Sequence, residues 1–141
     1  DAISGQEARD TIEAARALAE GRHEASGPSH DLGHVERVRR LALAIGRAEG
    51  ADLFVVELAA LLHDIGRVRE DSRGAEGDRH EEVSAELARD FLEARGLPRE
   101  TQAAVLAAIL CHRHRRGRAA GSLEARCLFD ADKLDSLGAV G

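Results

Sequence analysis

Four side chains of the types that hold metal ions stand where apolar helices would not otherwise keep them. His34 shares a helical face with Val38, Leu41 and Ile45, so it points inward. His63 and Asp64 end the most uniformly apolar run of the chain, and Asp132 lies in an apolar stretch near Leu128. Burying such groups is costly unless they are paired, hydrogen-bonded or bound to a metal. The carboxylate of Asp64 gains nothing from the negative end of a helix dipole, so a nearby cation is the compensation its position calls for. Two imidazoles and two carboxylates converging in one helical bundle form a mixed nitrogen and oxygen set, suited to a borderline divalent ion such as manganese, iron, cobalt or zinc. Singly, a histidine on an apolar stripe reads as a hydrogen-bonded core residue, and an aspartate such as Asp132 as a cap or an ion-pair partner. Their combination is what points to a metal. His80, with Ser84 and Leu87 on the same side of a helix, and His112, one turn beyond Ile109, can face the same central cleft.

The elements that must position these groups are helices. A chain of 141 residues, 43% hydrophobic and 33% charged, makes one modest domain with a single core, expected to span 1–141. With three Phe and no Trp, Tyr or Met, that core must be built from Leu, Ile, Val and Ala, which suits close helix packing better than a β sandwich. The net charge of -6 opposes stable binding to nucleic acid or to an anionic membrane, so an anionic ligand needs a local positive site. No apolar run reaches the roughly 18 residues of a membrane span, and no secretory signal pattern opens the chain, so a cytoplasmic location is expected. Cys111 and Cys127 lie in apolar surroundings and read as reduced, buried thiols. The first residue is Asp1 and the last, Gly141, follows a helical pattern directly, so a trimmed piece is expected.

Ser4 with Glu7 is a capping-box signature, and a helix is expected from there to about Glu20, with a weak apolar stripe at Ile12, Ala15 and Leu18. Gly21 to Ser29 should break it. Asp31 can cap a second helix carrying Val35, Val38, Leu41, Ala42 and Ile45, and Gly50 should end it. Asp52 precedes the run Leu53 to Leu62, which reads as a helix buried on nearly all sides. The polar, glycine-containing stretch Gly66 to Asp78 is longer than an ordinary connection and reads as a mobile surface segment or a lid. Asp78 and Glu81 cap a further helix with a stripe at Val83, Leu87, Phe91 and Leu92, ending at Gly96. Pro98 suits the first turn of the next, with Val105, Leu106, Ile109 and Leu110. Ser122 opens the last, through Leu123, Leu128, Phe129, Leu134 and Leu137 to Gly138. The fold class expected is all-α, a compact bundle of about six helices.

Read together, His34, the pair His63 and Asp64, and Asp132 within Asp130-Ala131-Asp132-Lys133-Leu134-Asp135 resemble the HD-domain superfamily of metal-dependent phosphohydrolases. The surrounding text is similar too: His30-Asp31-Leu32-Gly33-His34, Arg37-Val38, Leu61-Leu62-His63-Asp64-Ile65-Gly66 and Leu137-Gly138-Ala139. The match covers most of the chain, and its order is most similar to the small bacterial YedJ/YpgQ-like subgroup. It implies a helical domain that binds one divalent cation through His34, His63, Asp64 and Asp132 and hydrolyses a phosphate or pyrophosphate ester, often of a nucleotide. Manganese is the first choice, with iron, cobalt, magnesium, zinc and nickel compatible. Such an ion lowers the pKa of its water and withdraws charge from phosphoryl oxygens. Asp64 would ligate and also orient that water. Lys133 and Arg37 are candidates for holding the substrate phosphate, one as a point charge and the other as a planar fork; surface ion pairing accounts for them equally well.

In binuclear members, extra histidines between the His-Asp pair and the last Asp bind a second metal, and His80 and His112 stand in that order here. One metal is preferred, with His80 and His112 contacting phosphate or donating protons. The basic cluster Arg113, His114, Arg115, Arg116 and Arg118 either borders the site mouth and attracts the substrate through Arg115 and Arg116, or is a solvated surface loop. His30 and Asp31 are candidates to support the ligands through hydrogen bonds. Ile65, Gly66, Arg67 and Val68 stand where hydrolases of guanosine tetraphosphate carry a Glu-Asp pair, and the chain has no tyrosine for a Gly-Tyr-Pro motif, which argues against both that branch and the cyclic-dinucleotide phosphodiesterases. The expected partner is a small phosphorylated molecule, a nucleotide first, and a homodimer is compatible with the sequence. The alternatives are a non-catalytic domain that binds metal and nucleotide as a sensor, and a binuclear iron oxygenase. The family pattern continues past the last Asp with further helices, so part of the pocket is expected beyond Gly141 or from another subunit.

Overall fold

In the computed structural model the run Leu53–Leu62 forms the axis of the molecule, because a segment apolar on nearly every side is stable only where protein surrounds it. The structure describes residues 3–25, 32–66, 80–111 and 121–137. Their order is α1 Gly5–Ala25, α2 Leu32–Glu49, α3 Leu53–Leu62, α4 His80–Arg95, α5 Arg99–Cys111 and α6 Leu123–Ser136, with no strand among the described residues. Helix α3 touches all five others, and α2 packs most extensively on α6. Seven of its ten residues are buried, from Val55 and Val56 through Leu58 to Leu62. Around it the core is lined with small residues, among them Ala15, Ala19, Ala85, Ala88, Ala108, Ala125 and Ala131, which let helix axes approach closely.

Local chemistry sets the boundaries. Ser4 Oγ accepts from the Glu7 N–H at 3.0 Å while Glu7 returns a bond to the Ser4 N–H at 3.1 Å, the expected capping box. Asp52 caps α3 through the N–H groups of Phe54 and Val55, and Ser122 caps α6 through that of Ala125. Gly50 and Gly96 stop α2 and α4 with φ of 79° and 69°, a conformation that other residues adopt at a cost. Pro98 lies just before α5, its carbonyl accepting from the Gln102 N–H.

Four expectations are corrected. Helix α1 runs on past Gly21 to Ala25, where the Arg22 side chain donates to the Ile65 carbonyl at 3.2 Å and ties the added turn to the end of α3. The buried face of α4 is Glu81, Ser84, Ala85, Ala88 and Leu92, with Val83, Leu87 and Phe91 only partly covered; three of its five inward positions are alanine or serine, which lets a neighbouring helix approach closely. In α6 the inward residues are Ala125, Cys127, Leu128 and Ala131, while Leu134 and Leu137 are 38% and 69% exposed. Both cysteines are free, but only Cys127 is buried and Cys111 is partly exposed. The caps expected at Asp31 and Asp78, the stop at Gly138 and most of the connection 66–78 fall outside the described residues.

The α6 register gives a direct check by urea unfolding. Leu128→Ala, at a fully buried position, is expected to cost about 2–5 kcal/mol, whereas Leu137→Ala should stay within about 0.5 kcal/mol of the parent. Equal losses would contradict this packing.

Candidate metal centre

The end of α3 delivers two polar residues into the core. His63 is the C-terminal cap of that helix, is 1% exposed, and gives its Nδ1 proton to the Ala60 carbonyl at 2.7 Å. A carbonyl can only accept, so Nδ1 carries a proton and Nε2 is the nitrogen left to meet the other side of the site. Asp64 follows at 4% exposure, in a turn held by two neighbours: Arg22 binds the Ile65 carbonyl, and the Gly66 N–H donates to the buried Ser84 Oγ at 2.8 Å.

Helices α2 and α6 supply the other side. His34, in the first turn of α2, places Nε2 3.1 Å from Asp132 Oδ1, and His63 Nε2 lies 3.9 Å from the same oxygen, longer than a hydrogen bond. The two imidazole rings stand 5.9 Å apart at 59°. One ligand atom each from His34, His63 and Asp132 all fall within 4.8 Å of one another. Asp64 lies outside that set, yet its charge acts on His34. The far nitrogen of His34 is engaged as well, with Nδ1 2.6 Å from Asp135 Oδ2, and Arg37 donates from Nε to Asp135 Oδ1 at 2.6 Å and from Nη2 to Oδ2 at 3.4 Å.

The electrostatics follow from this crowding of carboxylates. Hydrogen bonding to Asp132 is the largest influence on His34 and raises its pKa to about 9; burial works the other way, and Asp135 and Asp64 add to the rise. Arg37, then His34, hold the Asp135 carboxyl below its usual range against the effect of burial. With both imidazoles neutral, Asp64, Asp132 and Asp135 against Arg37 leave two negative charges, which a divalent ion cancels. The donor set fits such an ion: two imidazole nitrogens whose opposite N–H groups are already bonded, and a carboxylate between them.

These placements meet the wider comparison. The HD domain model matches residues 31–137. This chain belongs to the HD domain family. It is 39% identical over 122 residues to the Bacillus subtilis protein YpgQ, an alignment covering 84% of this chain and 55% of YpgQ, so it spans little more than half the length of that relative. Among solved structures it is similar to a predicted HD superfamily hydrolase from an uncultured Thermotogales bacterium, with TM-score 0.75 and 32% identity over 91% of this chain and 72% of the other. It is also similar to YpgQ in complex with ADP, with TM-score 0.68 and 28% identity over 92% of this chain and 60% of that one.

Of the remaining candidates, Arg37 and Lys133 have described side chains. Arg37, expected at the substrate phosphate, is bonded to Asp135. Lys133 is exposed, its Nζ 6.0 Å from the centroid of the Phe129 ring, and one step along a helix turns it about 100° from Asp132. His80 begins α4, which points its Ser84 at the turn after Asp64, but the His80 side chain is outside the described residues. His112, Arg115, Arg116, His30 and Asp31 lie outside them altogether, and with them any second metal held by His80 and His112. Asp135 was visible in the sequence only as part of a phrase. Its signal is the spacing of three from Asp132, which puts both carboxylates on one helical face. No described helix is long and apolar enough to cross a membrane.

The raised pKa of His34 fixes two signs. Its contribution to the stability of the metal-free fold is complete below its ordinary value of 6.5 and is lost as pH rises through about 9; that of Asp135, whose pKa is lowered, is present above its ordinary value of 3.8 and is lost as pH falls through the depressed one. At pH 7 the ring is therefore an imidazolium, which an incoming cation must deprotonate. Calorimetric titration with Mn2+ in two buffers of different ionisation enthalpy is expected to show release of roughly one proton per ion; a heat independent of the buffer would refute this.

Proposed function

We propose that this HD domain is the core of a divalent-metal-dependent phosphohydrolase that acts on nucleoside phosphates, releasing phosphate or pyrophosphate, with manganese as the preferred ion. One observation carries the reading: His34, His63 and Asp132, from three different helices, bring ligand atoms within 4.8 Å of one another at the end of the buried helix. The similarity to an HD superfamily hydrolase and to YpgQ in complex with ADP supports the substrate class. When bound, the ion polarises a phosphoryl oxygen and lowers the pKa of its water.

The protein's own groups then have distinct tasks. His34, His63 and Asp132 would hold the ion, and Asp64, buried in the turn that Arg22 and Ser84 fix, is assigned as a fourth ligand that would also orient a water. A carboxylate so buried cannot swing freely, which is what holding a water in one direction requires. His80 and His112 are assigned to the phosphate or to protonation of the leaving group. Lys133, Arg115 and Arg116 offer positive charge on a chain of net charge -6, where an anionic substrate needs local attraction.

A panel of nucleoside mono-, di- and triphosphates with added Mn2+ tests this. Phosphate or pyrophosphate release is expected, and His63→Ala should reduce it by more than about 100-fold, the upper end of what loss of a mere supporting residue costs. Saturable nucleotide binding with no product from any member of the panel would instead make the domain a sensor.

A further inference from the structure

His34 is gripped at both nitrogens by one helix. Asp132 meets its Nε2 and Asp135 its Nδ1, and these two aspartates are one turn apart on α6. On the facing helix α2, Arg37 lies one turn after His34 and engages the Asp135 carboxylate through two nitrogens. Two pairs of residues spaced by three, His34 with Arg37 and Asp132 with Asp135, therefore interlock across the α2 and α6 contact. The Asp135 side chain is 5% exposed, so its direction is set by these partners and not by water.

From this geometry we propose that Asp135 is the positioning residue of the metal centre and that Arg37 acts on the centre through Asp135 and not on the substrate. The inference rests on the metal-dependent reading above. When the ion is bound, His34 must be neutral and must present Nε2 as the donor. A carboxylate accepting at Nδ1 selects that tautomer, fixes the ring plane and makes the ligand more basic. The guanidinium spans both Asp135 oxygens, so the acceptor cannot rotate away, and it balances a buried negative charge. His63 obtains its tautomer from a neutral carbonyl of its own helix, at Ala60. The two imidazoles are thus supported at Nδ1 by different chemistry, His34 from a facing helix and His63 from its own.

The test measures Mn2+ binding by calorimetry in wild type, Asp135→Asn and Arg37→Gln, with circular dichroism to confirm folding. A wild-type protein that binds no ion would defeat the metal-dependent reading itself. Given wild-type binding, Asp135→Asn is expected to weaken it about 10–100-fold, and Arg37→Gln to weaken it several-fold while leaving the KM for nucleotide unchanged. In the Zn2+-loaded protein, the His34 Nδ1 proton should give a slowly exchanging NMR signal that disappears in Asp135→Asn. A purely structural role for Asp135 would lower the melting temperature and leave both the affinity and this signal intact, which overturns the proposal. Arg37→Gln with wild-type Mn2+ affinity and a KM raised tenfold would overturn it too, and would return Arg37 to the substrate. Should Asp135→Asn fail to fold, Arg37→Gln decides alone, since it keeps the buried carboxylate.

Discussion

An imidazole enclosed by apolar side chains at the end of a helix must give its proton to a fixed acceptor and keep its lone pair aimed at a partner, or the fold bears the cost of a stranded polar group. His63 meets the first demand with the Ala60 carbonyl and faces Asp132 and His34 with its other nitrogen. Much of the architecture follows from that requirement. Helix α3 has to be surrounded to be stable, so its end is necessarily deep, and whatever answers His63 has to arrive from other helices. The α2 and α6 pair does so with residues of opposite character, histidine and arginine on one side and two aspartates on the other.

The same packing accounts for the division between ligand and support. Crowded carboxylates would repel one another in an apolar setting without a compensating cation nearby. Part of that compensation is permanent, in Arg37, and part is exchangeable: a proton on His34 in the metal-free protein, or a metal ion in its place. Further from the centre, Arg16 bonds to Glu36, and Arg39 to Glu36 and Glu57, joining α1, α2 and α3 along their half-buried sides. Such exposed or half-buried pairs contribute little stability individually, but they join the helices that carry His34 and His63.

What the sequence disclosed was decided by how strongly each residue's chemistry constrains its surroundings. Six helices, their caps at Ser4, Asp52 and Ser122 and their stops at Gly50 and Gly96 were legible, because each depends on a local bond or a local dihedral angle. His34, His63 and Asp132 were legible as a group because polarity in an apolar context is informative wherever it occurs. The inward faces of α4 and α6 were misread for the opposite reason. Periodicity favoured the large residues Val83, Leu87, Leu134 and Leu137, whereas close packing selected alanine and serine. Arg37 stayed ambiguous in the sequence because a guanidinium suits a phosphate and a carboxylate equally well, and nothing local discloses that Asp135 faces it from 98 residues away. The extension of α1 past Gly21 likewise depends on a distant carbonyl.

That extension carries a consequence beyond helix length. The final turn of α1 holds the carbonyl of Ile65, one residue after Asp64. Fraying of a terminal helical turn is ordinarily a private event, confined to a few exposed bonds. Here it would release one of the two bonds that hold the backbone behind a buried carboxylate on another element, so the firmness of the core's most polar corner is coupled to the order of that helix end. A glycine at position 21, the residue least inclined to keep a helix intact, sits at the start of that lever.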